Sequence, residues 1–135
     1  MRAKRLSAVT TFLAGLGVAT GCILAAAGAG AGGAIYLTDR GVESVISASV
    51  EETLGAAERA FGEFDIERTS YEEEQGGAKR EVEGRSDEKD ADVTVSMEAT
   101  EGGNTRVEVT AKTSPVTWDK DFAREILERI VELAE

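Results

Sequence analysis

The sequence predicts an α+β fold, a two-layer domain with an antiparallel sheet of four to five strands covered on one face by two helices and preceded by a signal or anchor segment. Three observations predict it. Val93, Val95 and Met97, then Val107, Val109 and Ala111, alternate with polar residues, which is the period of a strand buried on one face. Val50, Leu54, Ala57, Phe61 and Phe64, and again Phe122, Ile126, Ile130 and Leu133, recur at helical spacing. Residues 6–38 carry no charge at all, and Arg2, Lys4 and Arg5 precede them.

That first segment has the layout of a secretory signal: a basic start, an apolar stretch through Phe12, Leu13, Leu16 and Val18, and small residues at Ala19, Thr20 and Gly21. Cys22, the only cysteine of the chain, follows directly. The organisation expected is therefore a signal peptide with a lipobox over 1–21, an Ala and Gly-rich tether over 22–40, and a small α+β domain over 41–135. A lipobox usually carries Leu three positions before its cysteine, and Ala19 stands there. The alternative is an uncleaved transmembrane helix, which needs about 20 apolar residues. Gly17 and Gly21, then Gly28 and Gly32, stand four apart, the spacing at which two membrane helices can approach closely. Under either reading the basic end stays inside and the acidic remainder lies on the extracytoplasmic side of the envelope.

Within the domain, residues 42–48 read as a strand, and Ser49 followed three residues later by Glu52 has the form of a capping box at a helix start. The first helix is expected to end near Asp65, a residue type that tolerates left-handed backbone. Residues 66–71 and 79–85 read as strands. Residues 72–77 and 86–90 read as the breaks that follow them, and 101–104 as the turn of a hairpin. Thr117 or Asp119 is positioned to cap the closing helix.

Composition narrows the chemistry. The formal charge is −11 over 135 residues, and loss of residues 1–21 would make the remainder more acidic still. Such a surface repels phosphate backbones, so no nucleic acid partner is expected. The chain contains no histidine, the commonest general base and metal ligand. The acidic clusters at 72–74 and at Asp87, Glu88, Asp90 and Asp92 lack the spacing of a calcium loop and read as solvated connections. No catalytic residue, cofactor or metal is therefore expected. Trp118 and Tyr71 are candidate partner contacts, because aromatic residues are enriched at binding hot spots. The competing role for Trp118 is to close the end of the core where the chain enters the last helix.

Taken together, several features resemble small bacterial lipoproteins grouped as domain of unknown function 3568. These are Gly21 and Cys22, the small-residue run leading to Tyr36 and Leu37, the segment 41–49, the Ala-rich helix ending near Phe61, the valine hairpin of 93–109, and a closing helix with Ile126, Leu127 and Ile130. Residues 113–118 depart from the Gly and Asp-containing turn that members carry before the last helix. The resemblance implies lipidation at Cys22, cleavage between Gly21 and Cys22, and one domain, and it implies no activity. The expectation is a membrane-attached, non-enzymatic envelope protein that binds an envelope protein or cell-wall partner.

Overall fold

Strand pairing in this chain is antiparallel throughout the described residues. The computed structural model describes residues 34–134. In chain order the elements are β1 (Tyr36–Leu37), β2 (Gly41–Ile46), α1 (Val50–Glu63), β3 (Ile66–Glu74), β4 (Lys79–Ser86), β5 (Ala91–Ala99), β6 (Thr105–Ser114), β7 (Thr117–Trp118) and α2 (Lys120–Leu133). The sheet runs β1-β2-β6-β5-β4-β3, with β7 added to β6. The α+β class stands, but the sheet has seven strands, where four to five were expected. The additional strands, β1 and β7, have two residues each, too few for an alternation to be read.

A second difference concerns Glu72, Glu73 and Glu74. They were read as a break, yet they form the last third of β3 and pair with Glu81, Arg80 and Lys79. β3 is the outer strand of the sheet, and of the eight residues after Ile66 seven are exposed and Ser70 is half-buried. An edge strand wet on both sides has no reason to alternate, and charged side chains there discourage pairing with another chain.

The two helices divide the covered face between them. α2 packs on β2 and β6, and α1 on β3, β4 and β5. Val42, Ile46, Val82, Val93, Val95, Met97, Val107 and Val109 point inward from the strands and are fully buried. Ile126, Leu127 and Ile130 meet them from α2. On α1 the buried stripe runs through Thr53, Ala56, Ala57, Ala60 and Phe61, while Leu54 is only partly covered. Small side chains let the helix axis come close to the sheet. Gly84 on β4 completes that fit, since a Cβ there would lie 2.8 Å from the Phe61 ring and 2.5 Å from Ile66.

The helix ends follow the expected chemistry. The Glu52 amide donates to Ser49 Oγ at 3.1 Å, and the Ser49 amide donates to a Glu52 carboxylate oxygen at 2.9 Å. Asp119, rather than Thr117, caps α2, accepting from the Phe122 amide at 2.9 Å. α1 stops at Glu63, and Asp65 turns the chain with φ of 54°. Ser49→Ala removes the serine half of the box and is expected to destabilise the domain by about 1 kcal/mol. The check is thermal unfolding followed by far-UV circular dichroism, where a drop of roughly 5 °C is expected for a domain of this size.

Buried polar groups are satisfied within the fold. Thr105 Oγ1 donates to the Ala48 carbonyl at 2.8 Å, Thr53 Oγ1 to the Ser49 carbonyl at 2.8 Å, and Ser44 Oγ to the Ala34 carbonyl at 3.1 Å. Among the described residues no buried side-chain nitrogen or oxygen lacks a partner, as a dry core requires.

Candidate functional site

The face of the sheet opposite the helices has no layer over it, and strand parity decides what it presents. Inward residues of β5 and β6 are apolar or threonine, so their neighbours Thr94, Ser96, Glu108 and Thr110 point outward. β4 contributes Glu81 and Glu83 by the same alternation. Short side chains on the two central strands, with longer ones beside them, leave a shallow concavity of about 460 Å³. Thr94, Ser96 and Thr110 line it together with Glu81, Glu83 and Glu108. Ser96 Oγ donates to a Glu81 carboxylate oxygen at 2.9 Å, tying floor to wall.

Trp118 borders this concavity. It pairs with Lys112 across β6 and β7 and therefore shares the outward side of that residue. The role of closing the core falls instead to Phe122, which meets Phe64 edge-on at 5.9 Å with Lys89 over its ring at 5.5 Å. The two-residue strand β7 is what turns Trp118 away from the core. Its ring is covered on one side by Arg40, whose guanidinium carbon lies 5.4 Å from the centroid, a cation–π contact.

Tyr71 is separate from Trp118 in the fold. It lies on β3 opposite Val82, on the helix side of the sheet but beyond the helices' reach, and 40% of it is exposed. Its hydroxyl donates to Glu73 at 2.9 Å. That hydrogen bond to a carboxylate favours the neutral phenol and raises its pKa above the ordinary value. The structure thus does not bring the two candidate aromatics together. The alternation of the hairpin puts Glu108 on a polar face with Thr94, Ser96 and Thr110, but nothing in the sequence joined Glu81 and Glu83 to it; the pairing of β4 with β5, and of β5 with β6, gathers them.

Of the cations on this face, Arg40 and Lys112 line the concavity, and others stand at its margins. Arg106 is 3.7 Å from Glu43, Lys79 is 3.5 Å from Glu74, and Arg85 is 3.1 Å from Asp92 and also pairs with Asp90. The carboxylates beside Arg85 raise its pKa, with Asp92 the largest influence. These are exposed pairs, each contributing little to stability. Two carboxylate pairs sit directly opposite each other instead: Glu43 with Glu108, and Glu72 with Glu81.

A further ionic contact joins the helices. Arg129 donates to Glu63 at 2.9 Å and to Glu132 at 2.7 Å, and Arg59 donates to the Leu133 carbonyl at 2.7 Å. The Arg129 guanidinium holds the Glu63 carboxyl below its usual pKa. That contribution to stability is present above the ordinary carboxylate range and is lost as pH falls through the lowered value.

Among the described residues, no group of three or more Cys, Asp or Glu side chains is arranged to hold a metal ion. No helix among them is long and apolar enough to cross a membrane. Gly21 and Cys22, with the signal and most of the tether, lie outside the described residues. No family model matches the chain, and no curated protein was found to be similar to it.

Proposed function

We propose that the chain is a lipid-anchored envelope protein whose α+β domain is a non-enzymatic interaction module, held at the membrane through Cys22 and meeting an envelope partner with the open face of its sheet. The observation that carries the interaction half is the uncovered face itself, concave at its centre and bordered by Trp118. Globular sheets of this kind commonly leave one face to water, and a concavity with an aromatic border adds what a contact surface uses. The anchor half rests on the position of Cys22 after Ala19, Thr20 and Gly21, and on the resemblance to bacterial lipoproteins. Non-enzymatic action is supported by a chain without histidine. On this reading the thiol of Cys22 carries a diacylglyceryl group, the chain is cut before it, and the acidic domain stands on the extracytoplasmic side. Two or more acyl chains hold a protein stably where one chain binds only marginally.

Metabolic labelling with a radioactive fatty acid tests the anchor. The wild-type chain is expected to take up label and to run shorter than its full length, and Cys22→Ala to lose the label entirely. An unlabelled, uncleaved chain in the membrane fraction would replace the lipoprotein by the glycine-rich transmembrane alternative. Photo-crosslinking in cells from position 94 tests the interaction half, with an adduct to an envelope protein or cell-wall component expected there and none from the exposed helix position Glu128.

A further inference from the structure

We infer that the domain rests on the bilayer by the β1 edge of its sheet, with Tyr36, Leu37, Val116 and Trp118 entering the interfacial layer of the lipid and the acidic β3 edge turned away. The inference rests on the membrane attachment proposed above and adds which side of the domain meets the lipid. Five large apolar side chains are exposed among the described residues: Tyr36, Leu37, Val45, Tyr71 and Val116. Four of them fall on β1, on β2 or in the turn between β6 and β7, and Tyr71 alone is on β3, the far edge.

Strand pairing places the four on one border. β1 pairs only with Val42 and Glu43, so Val45 lies on β2 beyond the end of that ladder. Lys112 has Asp92 on one side and Trp118 on the other, which puts β7 on the β2 side of β6 and makes it an outer strand as well. Arg40, from the turn between β1 and β2, reaches the Trp118 ring, so the two turns adjoin. The border runs from Ala34 along β1 to Arg40, and on through Trp118 to Val116.

The chain that leads into this border indicates what covers it. Residues 6–38 are uncharged, and β1 falls at the end of that run. Cys22 and Ala34 are twelve residues apart, a reach of roughly 40 Å at full extension. A domain attached at Cys22 is thus held close to the bilayer, at an effective concentration that lets a small apolar contact persist. Charge agrees with this orientation. β1 and residues 115–117 carry none, and Asp39 and Arg40 of the adjoining turn offset each other. β3 carries Glu67, Glu72, Glu73 and Glu74, with Arg68 as its only cation. In the order β1-β2-β6-β5-β4-β3 the two edges stand roughly 24 Å apart at the usual strand spacing, about three Debye lengths at physiological ionic strength. The acids of β3 therefore do not oppose contact of β1 with anionic headgroups. Tyrosine and tryptophan settle at the headgroup level of a bilayer, and Arg40 can lay its stem there while its charge stays in water. A sheet standing on this edge keeps its open face turned sideways, accessible to a partner.

The test uses the full chain as cells produce it, incorporated into phosphatidylcholine vesicles in which part of the lipid is brominated on its acyl chains. Flotation with the vesicles reads attachment. Quenching of Trp118, the only tryptophan of the chain, reads contact of this edge with lipid. The chain is expected to float with Trp118 quenched, and quenching is expected to fall at least about twofold in the combined variant Leu37→Glu, Val116→Glu, because charge is excluded from the apolar side of an interfacial contact. Both side chains are exposed, so this variant is expected to melt with the wild type. The combined variant Trp118→Phe, Tyr71→Trp moves the single tryptophan to β3 and is expected to be unquenched. A floating chain with unquenched Trp118 would overturn the inference and leave the attachment standing; blue-shifted emission in that case would assign the edge to a second copy of the chain. Equal quenching at positions 71 and 118, or undiminished quenching in the glutamate variant, would overturn it as well. A chain that does not float would remove the attachment, and the inference with it.

Discussion

Gly41→Ala is expected to destabilise the domain by about 3 kcal/mol, the upper part of the range for forcing atoms into a packed site. A Cβ at this position would stand 2.0 Å from the Val109 carbonyl oxygen and 3.0 Å from its carbon. Those are backbone atoms of β6, so no side-chain rotation can relieve the clash. β2 would have to move away from β6 at Gly41 and Thr110, the first pair of their ladder. Gly55→Ala is the matched control, because nothing lies within 4 Å of a Cβ built there and the site is inside α1. That change is expected to stabilise by up to about 1 kcal/mol, the difference in helix propensity between the two residues. Urea unfolding of both variants, followed by far-UV circular dichroism, gives the comparison. A Gly41→Ala midpoint at or above that of Gly55→Ala would show that β2 and β6 are not in the close contact described.

Ile126→Ala is expected to cost 2 to 5 kcal/mol, roughly, as buried isoleucine truncations do. Ile126 has no exposed surface and lies on the face of α2 that covers β2 and β6. The loss is large against a total of about 5 to 15 kcal/mol for ordinary domains. At about 3 kcal/mol the melting temperature falls by roughly 15 °C for a domain of this size. Ile126→Val, which keeps most of the volume, is expected to cost about 1 kcal/mol. Thermal unfolding of the pair separates a cavity effect from loss of the helix: if both variants lose the same amount, packing at this position is not what holds α2 down.

Particular residues show how much of this fold could be read beforehand. Ser49 and Glu52 announced the start of α1 because a capping box is a local device, complete within four residues. The hairpin around residues 93–111 was equally legible, since its inward valines meet a core and its outward residues meet water. Glu72, Glu73 and Glu74 were misread for the opposite reason: on an edge strand both sides are wet, and the pattern that marks a strand disappears. Apolar spacing marked Val50, Leu54, Ala57, Phe61 and Phe64, whereas the buried stripe also takes in Thr53, Ala56 and Ala60 and leaves Leu54 partly covered, because close approach of a helix selects small side chains. Trp118 was given to the core as one alternative, and a strand of two residues reversed its direction. The concavity was legible only in part: the alternation of residues 93–111 puts Thr94, Ser96, Glu108 and Thr110 on one polar face, but its β4 wall was not. Glu81 and Glu83 come from one strand and Glu108 from another, and no spacing along the chain encodes that β4 lies beside β5.

The place of β2 in the sheet has a consequence for the time course of folding. β3, β4, β5 and β6 pair with their neighbours in sequence and can close one hairpin after another, each across a short loop. β2 belongs beside β6, and the Thr105 to Ala48 hydrogen bond that joins this region spans 57 residues. Distant pairings form slowly because the intervening chain must lose its freedom first. Since the N-terminal part of a chain is synthesised first, β2 emerges early and waits for its partner. The edge of β6 that receives it is accordingly the last backbone in the sheet to be covered.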